Sequence, residues 1–287
     1  MDFRCSRVLC IRVGTQLSPT KLRTNNRSFM MSSQPSLQLA NFSFFDELEL
    51  GRLLTTGSML RRGVSLAWKR LIPRPDPLHG VPCGRSSHGL SVLKNGKQLI
   101  LYGGENIPRT PVEKDQTTWA AEENDDGEWS WRLIKSPCPP ARVAHAQSVL
   151  GDCVYSFGGR VGVEMKEKPM NDLWKLDCSG EAGTEEWMAV EPDLENGDEP
   201  PEARSFHKMV TIGSSLYVFG GCGSSGRLAD LHRFDSTTSS WLNLPASTLL
   251  QGRGGANFMT FGSKKCLGVV AGFRGEESND GKILFYL

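Results

Sequence analysis

The chain has no apolar run that could cross a membrane and no concentration of positive charge that could bind nucleic acid. A transmembrane helix needs about 20 consecutive apolar residues, and no segment of the 287 residues comes near that length. The net charge is +1, and beyond residue 80 there are 27 acidic residues against 21 basic ones. A nucleic-acid binder would carry a basic stripe. The sequence therefore predicts neither a membrane nor a nucleic acid as a partner.

Closely spaced cysteine pairs are also absent. The eight cysteines are Cys5, Cys10, Cys83, Cys138, Cys153, Cys178, Cys222 and Cys266. Zinc ribbons and redox dithiols need close pairs, so we expect no metal site of this kind. Evenly spread, unpaired thiols fit a reducing compartment, which predicts a cytoplasmic protein.

Acidic residues are almost missing from the first 40 residues. Asp2 is the only one, beside six basic residues and six serines. This composition suits a plastid or mitochondrial transit peptide. The alternative is an unstructured or spuriously extended N-terminus, since Met30 or Met31 could also be the start. We predict that residues 1–60 are a disordered or targeting segment and that residues 61–287 form the folded domain.

The chain also lacks a recognisable catalytic motif. No glycine-rich loop opens a helix, and no triad or carboxylate pair is discernible. The 31 glycines and 16 prolines instead favour frequent turns between many short strands. The composition predicts an all-β protein, and it favours a binding role over an enzymatic one without deciding between them.

An internal repeat organises the folded part. Four copies begin at Arg85, Arg142, Arg204 and Arg253, spaced 57, 62 and 49 residues apart. Three of them read Arg-x-x-His, continue through an apolar strand and reach a Gly-Gly pair; the fourth reads Arg-Gly-Gly-Ala and continues into a similar strand. Later strands then lead to a tryptophan, such as Trp187 or Trp241. The copies lie near residues 85–134, 142–190, 204–244 and 253–287, and spacings of about 50 residues are typical of kelch repeats.

Each copy has the pattern of one four-stranded blade. The apolar run before the glycines is suited to burial on both faces, and the Gly-Gly pair permits a close approach to the next blade. The tryptophan supplies a large apolar plate between blades. A single blade cannot cover its own faces, so several must stack.

This pattern resembles the kelch superfamily over about 220 residues, and within it the plant nitrile-specifier and epithiospecifier proteins. The residues that carry the resemblance are Arg85-Ser86-Ser87-His88-Gly89, Tyr102-Gly103-Gly104-Glu105, Arg204-Ser205-Phe206-His207, Tyr217-Val218-Phe219-Gly220-Gly221, Arg253-Gly254-Gly255-Ala256 and Gly272-Phe273-Arg274-Gly275-Glu276-Glu277. The resemblance implies a kelch-type β-propeller. Such rings have about six blades, within a range of four to eight.

The number of copies predicts an incomplete ring of about four blades. The segment Ser65–Leu71, with Trp68, has the pattern of a tryptophan-bearing outer strand from another blade. In similar propellers such an N-terminal strand completes the last blade, and here we expect that blade to be missing. The alternative is a small closed ring of four irregular blades.

The four repeat arginines are the candidate ligand-binding residues. In similar propellers this arginine lies near the mouth of the central channel, so Arg85, Arg142, Arg204 and Arg253 are predicted to bind a carboxylate, a sulfate or an acidic peptide loop. The alternative is that they are repeat-signature residues bonded to carbonyls between blades. The recurring His88, His145 and His207 each belong to a separate blade, and we expect no metal site from them.

The specifier-type resemblance implies an iron site, which this sequence does not supply. The ligands in that family form a Glu-x-x-x-Asp-x-x-x-His motif. Glu276 and Asp280 have the first spacing, but Leu284 stands where histidine is required. We therefore predict no cofactor, with Fe²⁺ implied only if specifier-like activity exists.

The resulting hypothesis is a kelch-repeat binding module that presents loops and a ring of arginines to a protein or a small anionic ligand. The alternative is a specifier-like, iron-dependent factor in glucosinolate breakdown whose iron motif is missing from this chain. A fold by itself does not fix a function.

Overall fold

The computed structural model describes residues 8–15, 64–108, 110–162, 169–261, 266–274 and 284–286. The chain divides into two compact units. The smaller unit, residues 7–72, contains β1 (Val8–Thr15) and β2 (Val64–Leu71). These strands pair antiparallel from Val8 opposite Leu71 to Thr15 opposite Val64. The predicted strand at 65–71 is therefore confirmed as a strand, and its described partner is β1. The prediction for residues 1–60 stays a prediction, because β1 is the only part of that range that the structure describes.

The larger unit consists of antiparallel sheets in which successive strands pair, except that a separate hairpin lies between the second and third strands of the first sheet. Blade 1 contains β3 (Gly89–Leu93), β4 (Gln98–Tyr102), β7 (Thr118–Glu123) and β8 (Trp129–Leu133), with the small hairpin β5 (Glu105–Ile107) and β6 (Thr110–Pro111) between β4 and β7. Blade 2 contains β9 (Ala146–Leu150), β10 (Cys153–Gly159), β11 (Met170–Asp177) and β12 (Glu186–Ala189).

The remaining two blades follow the same order. Blade 3 contains β13 (Lys208–Ile212), β14 (Ser215–Cys222), β15 (Arg227–Asp235) and β16 (Ser240–Leu244). Blade 4 contains β17 (Asn257–Phe261), β18 (Cys266–Val270) and β19 (Leu284–Tyr286). The only other regular elements in the described residues are two short 3₁₀ turns, Lys94–Gly96 and Lys114–Gln116. The predicted all-β fold of about four blades is confirmed.

The first strands of successive blades, β3, β9, β13 and β17, lie next to one another. The Gln147 amide donates to Ser91 Oγ at 2.8 Å between blades 1 and 2, and the hydroxyls of Ser148 and Thr211 lie 2.8 Å apart between blades 2 and 3. These are the innermost strands of a propeller arrangement. The arginine of each repeat precedes them, so the arginines and the Gly-Gly pairs share one end of the blades, called here the Gly-Gly end.

Apolar side chains fill the spaces between the blades. Trp187 of blade 2 packs on Tyr102 of blade 1, with ring centroids 4.9 Å apart, and Trp241 of blade 3 packs on Phe157 of blade 2 at 5.2 Å. Full burial of one such side chain is worth about 1.5–3 kcal/mol. The core therefore consists of layers between blades, which is why one repeat cannot fold alone.

A short segment before the first repeat extends blade 1. The N–H of Arg74 donates to the Trp129 carbonyl at 2.7 Å, and the Asp76 carboxylate accepts the N–H of Leu133 at 3.1 Å. Burial acts to raise the pKa of Asp76, but N–H donors from Leu133, Leu78 and His79 outweigh it and hold the pKa well below its usual value. This carboxylate ties the segment to the outer strand β8.

Candidate functional site

Arg142 and Arg204 are buried and make the same set of bonds in blades 2 and 3. Arg142 donates to both oxygens of Asp172 at 2.7 and 2.8 Å and to the Gly158 carbonyl at 2.9 Å. Arg204 donates to both oxygens of Asp230 at 2.7 Å. Such bidentate pairs are strong and geometrically specific. Burial opposes the charge on Arg142, but Asp172 outweighs it, so the pKa of Arg142 is raised.

Arg85 and Arg253 complete the set of predicted site residues. Arg253 is buried and donates to the Ala271 carbonyl at 2.9 Å. Arg85 is only half-buried and donates to the carbonyls of Gly103, Gln116 and Thr117 at 3.1–3.3 Å. No carboxylate within the described residues forms an ion pair with Arg85. The strand register places Thr117 where Asp172 and Asp230 stand in blades 2 and 3.

The structure therefore gives each predicted arginine to its own blade, where its side chain bonds main-chain carbonyls of that blade. The main chain of the arginines also joins neighbouring blades: Gly104 N–H donates to the Arg142 carbonyl at 2.9 Å, and Gly159 N–H to the Arg204 carbonyl at 2.8 Å. A role for the four arginines in ligand binding stays a prediction. The bonds that these arginines make explain why an arginine recurs at this position of every repeat.

A second line of main-chain bonds runs across the blades two residues after each arginine. The N–H of Ala144 donates to Ser87 O at 3.1 Å, that of Phe206 to Ala144 O at 2.9 Å, and that of Gly255 to Phe206 O at 2.8 Å. All four residues have positive φ, between 55° and 65°. We call this series the inner belt. Three of its members are not glycine, so the blades hold them in a conformation that costs roughly 1–2 kcal/mol per residue.

His145 and His207, the repeat histidines of blades 2 and 3, pack onto the preceding blade. His145 lies 5.0 Å from the Tyr102 ring, between centroids, and His207 Nε2 is 3.1 Å from the Phe157 carbonyl. Burial, followed by the nearby Arg142, lowers the pKa of His145 to about 3, and burial next to Arg204 lowers that of His207 well below its usual value. Both imidazoles are therefore neutral at pH 7 and serve the contact between blades.

Sequence reasoning missed two arginine–phenylalanine pairs at the Gly-Gly end. The Arg160 guanidinium lies 5.7 Å from the Phe206 ring centroid, and the Arg227 guanidinium lies 5.1 Å from that of Phe273. Arg160 also donates to Ser205 Oγ at 2.6 Å. Phe206 and Phe273 are 43% and 42% exposed. We call these four residues the Arg-Phe rim.

The two pairs of the Arg-Phe rim are neighbours. A Cβ placed on Gly254 would be 3.5 Å from Phe206 Cβ and 3.9 Å from Arg227 Cδ, so both pairs border the same glycine. Arg160 and Phe273 each follow the Gly-Gly position of their repeat and pair with the residue after the repeat arginine. The sequence signal for these pairs was the residue that follows the Gly-Gly position of each repeat. It is Glu105, Arg160, Cys222 and Phe273 in the four copies. It differs in all four copies, although the residue directly before it is glycine in each.

Four-stranded meanders whose first strands lie side by side, joined by main-chain bonds at one end, are the blades of a β-propeller. A family model described as the KLHDC2/KLHL20/DRC7 Kelch-repeats domain matches residues 88–284. The chain belongs to the kelch-repeat family, as its repeat predicted.

The chain is similar to several named kelch proteins. It is 31% identical over 211 residues to N-(sulfonatooxy)prop-2-enimidothioate sulfolyase of Thlaspi arvense, covering 71% of this chain and 55% of that protein. It is 32% identical over 229 residues to Adagio protein 3 of Arabidopsis thaliana, covering 74% and 34%. It is 28% identical over 225 residues to human Kelch domain-containing protein 3, covering 73% and 54%. The chain spans about half, or less, of the length of these relatives. The predicted likeness to plant specifier-type proteins is confirmed by the first of them.

The set of iron ligands that the resemblance implies is not complete at residues 276–284. Glu276 and Asp280 lie outside the described residues, and Leu284, in the third ligand position, has no donor atom. In the part of the chain that the structure describes, no three His, Cys, Asp or Glu side chains lie close enough to hold a metal ion. A helix with the length and apolarity needed to span a bilayer is also absent from the described residues.

Proposed function

We propose that this chain is a protein-binding module that takes its partner at the Gly-Gly end, on the Arg-Phe rim. The partner segment would carry an aspartate or glutamate beside an apolar or aromatic side chain. The observation that carries this proposal is the pair of guanidinium groups held against two half-exposed phenylalanine rings on neighbouring blades. An aromatic face combined with a guanidinium group offers an apolar contact surface together with paired N–H donors that can bind a carboxylate.

The buried arginines are less suited to direct contact. Arg142 and Arg204 already share their guanidinium groups with Asp172 and Asp230, so an anion would have to displace a bidentate carboxylate. Arg85 differs, because it is half-buried and pairs with no carboxylate among the described residues. We therefore narrow the hypothesis of an arginine ring to Arg85 as the direct anion contact, with the other three arginines holding the blades beneath the rim.

Selection from a phage library of random dodecapeptides on the purified chain tests this function. Enriched peptides should combine an acidic with an aromatic or apolar residue. In fluorescence anisotropy, Arg160→Gln and Arg227→Gln should each weaken binding roughly tenfold or more, since a charge-assisted bond is worth about 1.5–3 kcal/mol. Arg74→Gln is the matched control, an exposed arginine paired with Glu128 away from the rim. Enriched peptides that bind both rim variants as well as the parent would refute the assignment.

A second candidate function is a specifier-like, iron-dependent role in glucosinolate breakdown. The observation in its favour is the 31% identity to the sulfolyase of Thlaspi arvense, and Leu284 in place of the third iron ligand counts against it. Incubation of the chain with Fe²⁺, a glucosinolate and the hydrolase that releases its aglycone decides the matter. We expect isothiocyanate as the product, and nitrile formed only when the chain is present would favour this second function.

We also propose a cytoplasmic location, in line with six free cysteines in the described residues. A reducing compartment keeps such thiols unpaired. Imaging of a C-terminal fluorescent fusion tests it, with plastid or mitochondrial import through the basic N-terminal segment as the competing result.

A further inference from the structure

The outer strand of blade 1 is covered by an extended segment that precedes the blade in the sequence. The N–H of Trp131 donates to the Arg74 carbonyl at 2.8 Å. Two residues further along β8, the N–H of Leu133 donates to the Asp76 carboxylate at 3.1 Å. The outward-pointing N–H groups of this strand therefore have acceptors.

Blade 3 is covered in a similar way, again by the stretch of chain before its repeat arginine. The N–H of Asp198 donates to the Trp241 carbonyl at 2.9 Å. The Asp198 carboxylate accepts the N–H of Asn243 at 2.7 Å. In both blades an aspartate thus accepts the N–H of the residue that comes two positions after the tryptophan of the outer strand.

The outer strand of blade 2, β12, lacks such an acceptor. In strand register, Ala189 is the counterpart of Leu133 and Asn243. The N–H of the next residue, Val190, donates to the Leu173 carbonyl of β11, and the direction of N–H groups alternates along an antiparallel strand. The Ala189 N–H therefore points away from the sheet. Ala189 is exposed, and no residue that the structure describes accepts its N–H.

The length of the connection between blades explains the difference. The covering residues, within 74–76 and 193–198, lie 6 to 11 positions before the repeat arginine of their own blade. The same positions before Arg142 are residues 131–136, and the first three of these are still part of β8. The connection into blade 2 is therefore too short to lie along the outer strand of that blade.

A cleft of about 450 Å³ lies beside this uncovered strand. It is lined by residues 132–137, at the end of blade 1, and by residues 183–186, just before and at the start of β12. Ser136 connects the cleft to the strand, because its hydroxyl accepts the Trp187 N–H at 2.9 Å. A single water occupies about 10–15 Å³ of such space. The cleft therefore has room for several side chains of a peptide.

We propose that the uncovered edge of β12 and the cleft beside it are a docking site for an extended, aspartate-bearing segment of a partner protein. The aspartate accepts the Ala189 N–H in the way that Asp76 and Asp198 accept their N–H groups on blades 1 and 3. The side chains next to it enter the cleft. In strand addition of this kind, main-chain bonds give affinity and pockets give selectivity. The site is separate from the Arg-Phe rim and does not depend on it.

Amide hydrogen exchange of the free full chain, followed by NMR, gives the first test. The Ala189 N–H should exchange at least tenfold faster than those of Leu133 and Asn243, which are bonded to aspartates. Equal protection of the three amides would overturn the proposal, because the edge of β12 would then already be covered.

A labelled peptide with the sequence of residues 72–80 is the probe for binding, because Asp76 within it already accepts a main-chain N–H of blade 1. In anisotropy titrations against the full chain, it should bind at least tenfold more tightly than the same peptide with Asp76→Ala. Exchange at Ala189 should slow when the peptide binds. Equal binding of the two peptides, or no binding, would overturn the proposal.

Matched variants of the full chain locate the binding. Ala189→Pro removes the N–H that the peptide needs and should reduce binding at least tenfold, and an edge strand tolerates proline where the N–H faces outward. Ala189→Val keeps the N–H and is the control. Lys135→Trp, at an exposed position in the wall of the cleft, provides a second blocking variant if Ala189→Pro does not fold. Its control is Lys97→Trp, which is exposed on blade 1 outside the cleft.

The variants also separate docking on β12 from exchange of the peptide with residues 72–80 of the chain itself. A peptide that only displaced those residues from blade 1 would bind Ala189→Pro and Lys135→Trp as tightly as the parent. Peptide binding that is unchanged in a folded blocking variant would refute the site.

Discussion

The main-chain N–H of Gly159 donates to the carbonyl oxygen of Arg204 at 2.8 Å, and this bond joins the second blade to the third. It exists because Gly158 and Gly159, with φ of 61° and 95°, bring β10 close to the start of the next repeat. A Cβ on Gly158 would lie 2.8 Å from the same carbonyl oxygen. The glycine pair is thus required by a neighbouring blade, and the arginine supplies a main-chain acceptor as well as a guanidinium group.

Gly158→Ala should therefore be strongly destabilising. The substitution adds a left-handed backbone cost of roughly 1–2 kcal/mol to a clash with main-chain oxygen, and we expect a loss of about 2–4 kcal/mol in the free energy of unfolding. Gly151→Ala is the control: Gly151 has φ of 60°, and a Cβ there meets no atom within 4 Å. Urea unfolding of both variants measures the difference. Equal losses in the free energy of unfolding would show that the close approach of blade 3 does not require glycine at position 158.

Asp172→Asn should destabilise the chain because it leaves the buried Arg142 without its carboxylate. Breaking a fully buried pair costs about 3–5 kcal/mol. Since the Asp172 side chain is 38% exposed, water offsets part of that cost, and we expect about 2 kcal/mol. Thermal unfolding followed by circular dichroism gives the value, with Asp193→Asn, in an exposed turn, as the control. A change within the error of that control would mean that Arg142 is held by its carbonyl bonds alone.

The buried histidines predict acid sensitivity. The pKa of His145 is lowered to about 3 by burial, whereas an unfolded histidine has a pKa of about 6.5. Between these values the unfolded chain binds the extra proton, so stability is complete above about pH 6.5 and falls as the pH decreases toward 3, by about 1.4 kcal/mol per pH unit for one histidine. Unfolding of the parent and of His145→Gln between pH 7 and 4 tests this. The variant should show a shallower slope, and an unchanged slope would refute the assignment.

Blade 1 exposes an apolar face on its inner strand. Ser91 points to blade 2, where it accepts the Gln147 amide, and the alternation of a strand turns Leu90 and Val92 to the opposite face. Both are 49% exposed. Exposed apolar faces beside open strand edges promote association, so we expect dimers or larger species in size-exclusion chromatography with light scattering.

Replacement of Leu90 and Val92 by glutamine should shift that population toward the monomer. Met188→Gln with Leu242→Gln is the matched control, because those residues are about as exposed but lie on outer strands. A parent chain that is already a sharp, cooperatively unfolding monomer would contradict the prediction and favour a small closed ring.

The parts of the fold that could be predicted from the sequence were those that depend on the short-range pattern of residues within one repeat. The apolar runs before Gly103 and Gly158 became strands, and the tryptophans at 187 and 241 packed between blades as expected. The bidentate pair of Arg142 with Asp172 was not predicted, although both residues belong to the repeat, because its partners are 30 residues apart and meet only through strand register. The Arg-Phe rim was missed for a related reason: Arg160 and Phe206 come from different blades, so no single repeat contains the pair.

In the inner belt the backbone conformation is the same in every blade, whereas the side chain differs. Its four positions carry serine, alanine, phenylalanine and glycine, yet the same bond passes from each to the next. The main chain of one position per blade is thus fixed in space by its neighbours, while the side chain there differs from blade to blade. A substitution that tolerates the positive φ there would therefore change the surface at the Gly-Gly end and leave the main-chain bonds between blades in place.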